Sequence, residues 1–417
     1  MNRKQLSHYY GLLLGLFFFG QFLALPILTP LFIEMGANIE EIGVIMAVMG
    51  GTVILLEIPT GGLADEIGRK KLFISSLVLN ICSLLILCVY PSVIGAILSM
   101  LFWGAGISLS SGTITAWFVE TYQASEGEQS LQKGFAMVGF RTNLMGACGA
   151  LLGSLLVYLG IWISIDQLTL FRILLLAAAS CYLLVSIASF VWIKEKRVFN
   201  TMSKSSFNGV SLQLKNGIIA VSHPVLWRIL MSGLLAIPLA SAIEKFWQVE
   251  FYDITQGESL AWMFGLVFAV TLFLAGLAAR VTTWLCDTLN QQMGKVLFIG
   301  LMCQLLSVIA LSLSNHIILF LISFIAFDFS LELGASARSH LVGHATQDKV
   351  RSTVDSIMSF VSRTGGVLGT LLCALGASYM GLTNTWLVGA AIASFASVIF
   401  LSQILNTREE SAIADPS

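Results

Sequence analysis

The chain has 417 residues, a formal net charge of −1 and a hydrophobic fraction of 57%. Only 11% of its residues are charged, and the mean hydropathy is +0.88. A soluble globular protein is nearer half apolar and about a quarter charged, so this composition excludes that class and indicates an integral membrane protein. Because a helical span needs about 20 apolar residues, a chain of this length has room for about twelve.

Apolar runs separated by short polar connections predict twelve membrane-spanning helices, which we number as spans 1 to 12. Their approximate limits are 9–33, 42–62, 72–90, 93–118, 134–158, 170–193, 225–250, 260–284, 294–314, 317–338, 354–379 and 384–405. The long polar connection 194–224 separates an N-terminal half, 1–193, from a C-terminal half, 225–405. A tail follows at 406–417.

Lys and Arg are distributed unequally between the two sides of these spans. The loops 34–41, 91–92, 159–169, 251–259, 315–316 and 380–383 contain neither residue. The termini and the remaining loops carry bases on the opposite side. Since positive charge marks the cytoplasmic side, we predict a multi-pass protein of the inner (cytoplasmic) membrane with both termini in the cytoplasm.

The connection between spans 2 and 3 reads Gly61-Gly62-Leu63-Ala64-Asp65-Glu66-Ile67-Gly68-Arg69-Lys70-Lys71. Its glycines predict a sharp turn in which the two helix ends approach closely. The stretch resembles the signature loop of the major facilitator superfamily, G-x-x-x-D-x-x-G-R-K-x, which joins transmembrane helices 2 and 3 of those transporters. The matching residues are Gly61, Asp65, Gly68, Arg69 and Lys70. The preceding Pro59-Thr60 suits the bacterial drug-exporter branch.

This resemblance implies an all-α integral membrane protein in which twelve helices form two pseudo-symmetric six-helix bundles. It also implies a secondary active transporter that works by alternating access. The two halves share residues at an offset of 222, as a parallel repeat would. The repeated pairs are Gly43 and Gly265, Asp65 and Asp287, Gly112 and Gly334, and Arg141 and Arg363.

Besides the signature loop, four residues are candidates for a gate: Glu57, Arg141, Arg363 and Asp287. In the superfamily, helix 2 packs on helix 11 and helix 5 on helix 8. We therefore predict that Arg363 bridges to Glu57 and closes the cytoplasmic side. The alternative is that Arg141 and Arg363 both capture an anionic substrate, because arginine suits carboxylates and phosphates. Asp287 keeps the place of Asp65 in the second half, where the Gly-Arg-Lys run is lost.

Two carboxylates, Asp328 and Glu332, lie one helical turn apart on span 10 and therefore share a face. In a low-dielectric cavity two such groups do not both ionise readily, so one of them suits a proton carrier. In the superfamily, helices 1, 4, 7 and 10 line the central cavity, which brings Glu244 and Lys245 of span 7 within reach. The alternative is structural, with Glu332 hydrogen-bonded to a hydroxyl and Asp328 paired with Lys245.

The same four spans are rich in aromatic side chains, which favour a large apolar site for lipophilic or cationic organic molecules. Ordinary packing within the membrane is the alternative for each of them. The predicted substrate-cavity residues are Gln21, Trp103, Lys245, Trp247, Gln248, Phe324 and Phe327.

The sequence contains no Ser-His-Asp set, no metal-spaced His cluster and no P-loop, so we expect no catalytic residues, no metal site, no cofactor and no ATP hydrolysis. The seven cysteines are scattered and read as buried hydrophobes. The expected partners are a small-molecule substrate, protons and the lipid bilayer, without nucleic acid, and we expect a monomer.

We predict proton-coupled export of a drug or a secondary metabolite such as a siderophore. Drug–proton antiporters of the superfamily usually carry an Arg in helix 4 and a Gly-Pro motif in helix 5. Neither the Arg nor the proline is present here, since span 4 reads Leu98 to Gly106 without Arg and span 5 reads Gly146 to Gly153 without Pro. Uptake of a nutrient or metabolite by symport therefore stays open, as does a non-transporting membrane sensor on the same fold.

Overall fold

The computed structural model describes residues 2–195, 223–255, 260–346 and 351–402. Across these ranges the regular structure is entirely helical, and twelve helices are long and apolar enough to cross a membrane. This agrees with the predicted class and number of spans. Most of the connection 194–224, and the tail 406–417, lie outside the described residues.

The helices follow the predicted spans closely, and most of them extend beyond the predicted limits. Span 1 consists of Arg3–Ala24, a 3-10 turn at Leu25–Ile27 and a short helix at Leu28–Glu34. Span 4 consists of Val93–Ser110 and Thr113–Gln123. The others are Ile39–Ile67, Arg69–Val89, Leu131–Trp162, Gln167–Trp192, Pro224–Ile254, Trp262–Thr288, Met293–Ser312, Ile317–Ala345, Arg351–Met380 and Leu382–Leu401.

Polar caps explain why spans 1 and 2 begin earlier than the apolar pattern predicts. The Gln5 N–H donates to Asn2 Oδ1 at 2.9 Å, and the Glu41 N–H donates to Asn38 Oδ1 at 2.9 Å. Both caps are reciprocal, because the side chains of Gln5 and Glu41 accept from the N–H groups of Asn2 and Asn38. Such a capping box satisfies N–H groups that a helix start leaves free, so the polar first turn is helical as well.

The chain divides into two compact units. The first contains spans 1 to 6 together with span 8 as far as Phe273, and the second contains span 7, the rest of span 8 from Leu274, and spans 9 to 12. The start of span 8 belongs to the first unit because it packs on span 5. The hydroxyl of Ser154 donates to the carbonyl of Trp262 at 2.5 Å, and Gly265 lies against the backbone carbonyl of Ala150.

Within the first unit, spans 1 and 5 pack closely through glycines of span 5. Gly149 lies directly against the carbonyl of Phe19, and Gly146 lies under the ring of Phe22. Phe22 is buried together with Ala150 and Ala269. Small residues of this kind allow helices to approach in a membrane, where packing and not water drives association.

Spans 7 and 11 repeat this arrangement within the second unit. Gly369 lies against the backbone of Pro238, which interrupts the hydrogen bonding of span 7, and Gly365 faces the neighbouring Ile237. A proline within a helix bends it, and a glycine on the facing helix leaves room for the bend.

Span 4, predicted at 93–118, is present but contains a break that the sequence did not predict. The helix ends at Ser110 and restarts at Thr113, because Gly112 adopts a left-handed conformation with φ of +75°. Glycine adopts this conformation without the penalty that a Cβ imposes. Gly334, the residue at the repeat position, lies inside the unbroken helix of span 10.

Candidate functional site

Four charged side chains of spans 7 and 10 form one group within the second unit. Glu244 interacts electrostatically with Lys245 and with Glu332. Asp328 interacts with Glu244 and with Glu332. We call Glu244, Asp328 and Glu332 the acidic group. It unites all three residues that the sequence predicts for proton coupling, together with one predicted cavity residue, Lys245.

Stacked aromatic rings set the relative position of these two spans. The rings of Trp247 and Phe324 lie 4.1 Å apart between centroids with an interplanar angle of 20°. Glu244 lies one turn from Trp247, and Asp328 lies one turn from Phe324. Since a second ring contact joins Phe251 to Phe320, the spans run antiparallel, and both carboxylates fall on the same side of the stacked pair.

The acidic group and the predicted aromatic lining differ in how far their side chains are exposed. Trp247, Gln248, Phe324 and Phe327 are all buried, and Trp247 is only 1% exposed. The side chains of Glu244 and Glu332 are exposed within the unit, and those of Lys245 and Asp328 are half-buried. The described contacts of the rings are those of packing, so their role in a substrate cavity stays a prediction.

The two remaining cavity candidates lie in the first unit. Trp103 of span 4 is buried, with 4% of its surface exposed, and Gln21 of span 1 is half-buried. In the described parts of spans 1 and 4 no ionisable side chain takes a place comparable to the acidic group, since Arg3, Glu34 and Glu120 lie near the helix ends.

The signature loop is shorter than the sequence predicts. Span 2 continues as helix through residues 61–66 to Ile67, and span 3 begins at Arg69, so Gly68 alone forms the turn. Its φ of +99° requires glycine. The expectation that Gly61 helps to turn the chain is therefore wrong, because helical hydrogen bonding continues through it. The side chains of residues 58–66, including Asp65, lie outside the described ones.

The bases of this loop contact the ends of spans 4 and 6. The Arg69 guanidinium forms an ion pair with Glu120. Lys70 Nζ donates to the carbonyl of Phe190 at 2.6 Å and lies 5.0 Å from the centroid of its ring. The backbone N–H of Arg69 donates to Glu195 Oε1 at 2.8 Å. The loop of the first unit is thus held by residues that lie more than fifty positions away in the sequence.

The corresponding loop of the second unit is held locally. Gln291 Nε2 donates to Asp287 Oδ1 at 2.9 Å, and Gln291 Oε1 accepts from the thiol of Cys286 at 3.2 Å. Asn290 and Gln291 both have positive φ, of 54° and 61°. Four residues, 289–292, make the turn here, whereas Gly68 makes it alone in the first unit.

The two repeated arginines contact neighbouring helix atoms. Arg141 Nη1 donates to the carbonyl of Ser7 at 3.4 Å, and its stem packs on Gly11, which joins spans 5 and 1. Arg363 Nε donates to Ser359 Oγ at 3.3 Å within span 11. Glu57 is half-buried and belongs to the first unit, whereas Arg363 belongs to the second. Their predicted pairing stays a prediction.

Three residues of these sites were missed by the sequence reasoning. Glu120 lies just beyond the predicted end of span 4, and Glu195 stands among the bases that follow span 6. A loop with three consecutive bases was itself a signal to look for acids at helix ends on the same side. Arg338 is half-buried in span 10, which continues to Ala345 and so places this base within the helix.

Within the described ranges no three His, Cys, Asp or Glu side chains are placed so that they could hold a metal ion together. All seven cysteines are free thiols, in line with their scattered positions. The expectation that all seven are buried holds only for Cys286 and Cys373, since Cys82, Cys88 and Cys181 are half-buried and Cys148 and Cys303 are exposed.

Comparison with known proteins decides the family. The sequence profile of the Major Facilitator Superfamily matches residues 10–370. The chain belongs to the Major Facilitator Superfamily. Inner membrane transport protein YajR of Escherichia coli (strain K12) is 29% identical over 149 residues, a match that covers 36% of this chain and 32% of YajR.

Solved structures of Major Facilitator Superfamily transporters share the fold. The nucleoside transporter NupG matches with a TM-score of 0.77 at 12% identity, covering 97% of this chain and 100% of that one. A bacterial homologue of the human lysosomal transporter Spinster, inward-facing and occupied, matches with a TM-score of 0.70 at 13% identity over 100% and 99% of the two chains. The predicted fold class is confirmed, and the chain is a multi-pass membrane protein of this transporter superfamily.

Proposed function

We propose that this transporter exports a small organic molecule in exchange for protons, and that the acidic group carries the protons. The observation that supports the proposal is the approach of Glu244, Asp328 and Glu332 to one another within otherwise apolar spans. An ionisable residue inside a membrane span is costly and is therefore a functional candidate by default.

The acidic group couples proton movement to substrate movement, because protons and a cationic substrate compete for the same carboxylates. Three carboxylates that interact in a medium of low dielectric do not all ionise at low cost, so protons or a cation must neutralise part of their charge. Lys245 supplies one positive charge, and an arriving cationic substrate supplies another. Binding of the substrate then releases a proton, and binding of a proton releases the substrate.

The stacked rings beside the acidic group suit the same substrates. Trp247 and Phe324 are buried one helical turn from Glu244 and Asp328. In this proposal the two rings line the substrate site in its open state, because a lipophilic cation needs apolar surface beside carboxylates. We include a drug or a secondary metabolite such as a siderophore among the candidates. In this proposal the superfamily's cavity helices 1 and 4 contribute Gln21 and Trp103, and Gln248 adds a polar contact.

The signature loop is proposed to govern the exchange between the two access states, with Asp65, Gly68, Arg69 and Lys70 as its functional residues. We propose that Glu57 and Arg363 pair in the closed gate, and that Arg141 fixes span 5 on span 1. The distribution of bases supports cytoplasmic termini and an inner-membrane location. The transporter is proposed to act as a monomer.

Uptake by proton symport is the second candidate. It is favoured by the sequences of spans 4 and 5, which lack the Arg and the Gly-Pro motif of drug–proton antiporters. The same acidic group serves either direction, because a symporter also needs a carboxylate that binds and releases a proton within the membrane.

The test compares transport and binding in the variants Asp328→Asn and Glu332→Gln. Both keep the side-chain volume and most hydrogen bonds but cannot titrate. At least one variant should reduce pH-driven transport in vesicles to background while binding in detergent survives. The direction of substrate movement under an imposed pH gradient separates export from uptake. Two variants that still accumulate substrate against its gradient would place the proton site elsewhere.

A further inference from the structure

The start of span 3 is capped from a distant part of the chain. The first N–H groups of a helix have no partner within it, and Gly68, which precedes Arg69, has no side chain to supply one. The Arg69 N–H donates instead to Glu195 Oε1 at 2.8 Å. Gly68 touches the same carboxylate, since a Cβ at this glycine would lie 2.7 Å from Glu195 Oε2.

The C-terminal end of span 6 is in turn capped by a donor from the signature loop. The last carbonyls of a helix also lack intrahelical partners, and that of Phe190 accepts from Lys70 Nζ at 2.6 Å. A carboxylate at a helix N-terminus and an ammonium group at a C-terminus are both stabilised by the helix dipoles. Spans 3 and 6 therefore exchange caps, and we call Lys70 and Glu195 the reciprocal cap.

We propose that Glu195 is a positioning residue of the signature loop, an assignment that rests on the proposed gating role of that loop. Glycine permits many backbone conformations, and Gly68 is the only residue between spans 2 and 3. The Glu195 carboxylate selects one of them by binding the next N–H. This conformation directs the Arg69 side chain, which is only 20% exposed, toward Glu120.

The reciprocal cap acts through backbone geometry and not through an exposed ion pair. Exposed pairs contribute little to stability, and Glu120 is 66% exposed. The hydrogen bond to the Arg69 N–H is different, because it fixes the direction in which span 3 leaves the turn. Glu195 also begins the polar connection that follows span 6, so the same carboxylate holds the start of that connection to the signature loop.

The experiment compares Glu195→Ala and Glu195→Gln with Glu128→Ala, an exposed acid in the loop after span 4 that serves as the control. Transport is measured in vesicles, in the wild-type background and in an Asp65→Asn background. We expect Glu195→Ala to slow transport roughly three- to tenfold, because the stability lost with a helix cap would here act on the exchange between access states. Glu195→Gln keeps an oxygen that accepts from the Arg69 N–H and should recover part of the rate. Glu128→Ala should transport normally.

A positioning role predicts that the two changes do not add. Once Asp65→Asn has impaired the loop, Glu195→Ala should have little further effect, whereas independent losses would multiply. Multiplied losses, or equal losses for Glu195→Ala and Glu128→Ala, would overturn the assignment. A purely structural role would lower stability without this coupling.

Amide hydrogen exchange tests the cap without reference to transport. Glu195→Ala should speed exchange at the Arg69 amide, and Glu128→Ala should leave it unchanged. An unchanged rate in Glu195→Ala would overturn the proposed cap. Normal transport by Asp65→Asn combined with faster exchange in Glu195→Ala would instead keep the cap and contradict the gating role of the loop.

Discussion

The two signature-loop positions of the molecule are built differently. In the first unit, Arg69 and Lys70 reach the ends of spans 4 and 6. In the second unit, Asp287 is satisfied four residues away by Gln291. The long-range contacts of the loop are thus found in the first unit, whereas the carboxylates of the acidic group, which lie within membrane spans, are found in the second.

This difference indicates a division of labour within a repeated fold. Both units join their first and fifth helices through glycines, at Gly149 and Gly369, so the scaffold has been kept in each. The charged side chains have diverged, because an ion pair at a helix end and a carboxylate within the membrane serve different purposes. Under the proposed function, the first unit holds the loop that governs exchange and the second unit holds the groups that carry protons.

The largest expected effect concerns the predicted pair Glu57 and Arg363, which belong to different units. If Glu57 and Arg363 pair at depth, removing either one leaves a charge without its partner and should cost about 3–5 kcal/mol of stability. Glu57→Gln combined with Arg363→Met should recover much of that loss. Unfolding in detergent of the single and double variants gives the coupling energy, and strictly additive losses would mean that the two residues do not meet.

The next effect tests whether the two scaffolds are equivalent. Gly149→Ala and Gly369→Ala each place a methyl group against a backbone carbonyl or proline backbone that has little freedom to move. Each should lower the free energy of unfolding by about 1–3 kcal/mol, although alanine is the better helix former.

Gly139 and Gly276 provide matched controls, because a Cβ at either one meets no atom within 4 Å. Their alanine variants should be neutral or slightly stabilising in the same thermal unfolding assay. If Gly149→Ala destabilises the protein and Gly369→Ala does not, the two glycines do not play equivalent roles in the packing of the two units.

The sequence predicted the helix count and the pair Asp328 and Glu332 because both depend on local spacing, whereas Glu244 was placed beside them by the resemblance to the superfamily. Apolar length defines a span, and Asp328 and Glu332 share a face whatever surrounds them. The contacts of Glu195 were not predictable in this way, since 126 residues separate it from Arg69. The break at Gly112 was also missed, because Gly334 occupies the repeat position without breaking its helix.

The smallest expected effect compares the two aspartates of the repeat. Asp65→Asn should leave the protein folded and inserted but slow transport by roughly tenfold, the effect of about 1.4 kcal/mol on the exchange between access states. Asp287→Asn should transport at close to the wild-type rate. Its amide oxygen accepts from Gln291 Nε2 as the carboxylate does, so the local turn keeps its hydrogen bond. Initial rates in vesicles, normalised to inserted protein, provide the measurement. Equal losses in the two variants would show that the second loop governs exchange as well, and the division between the units would then hold only for the protons.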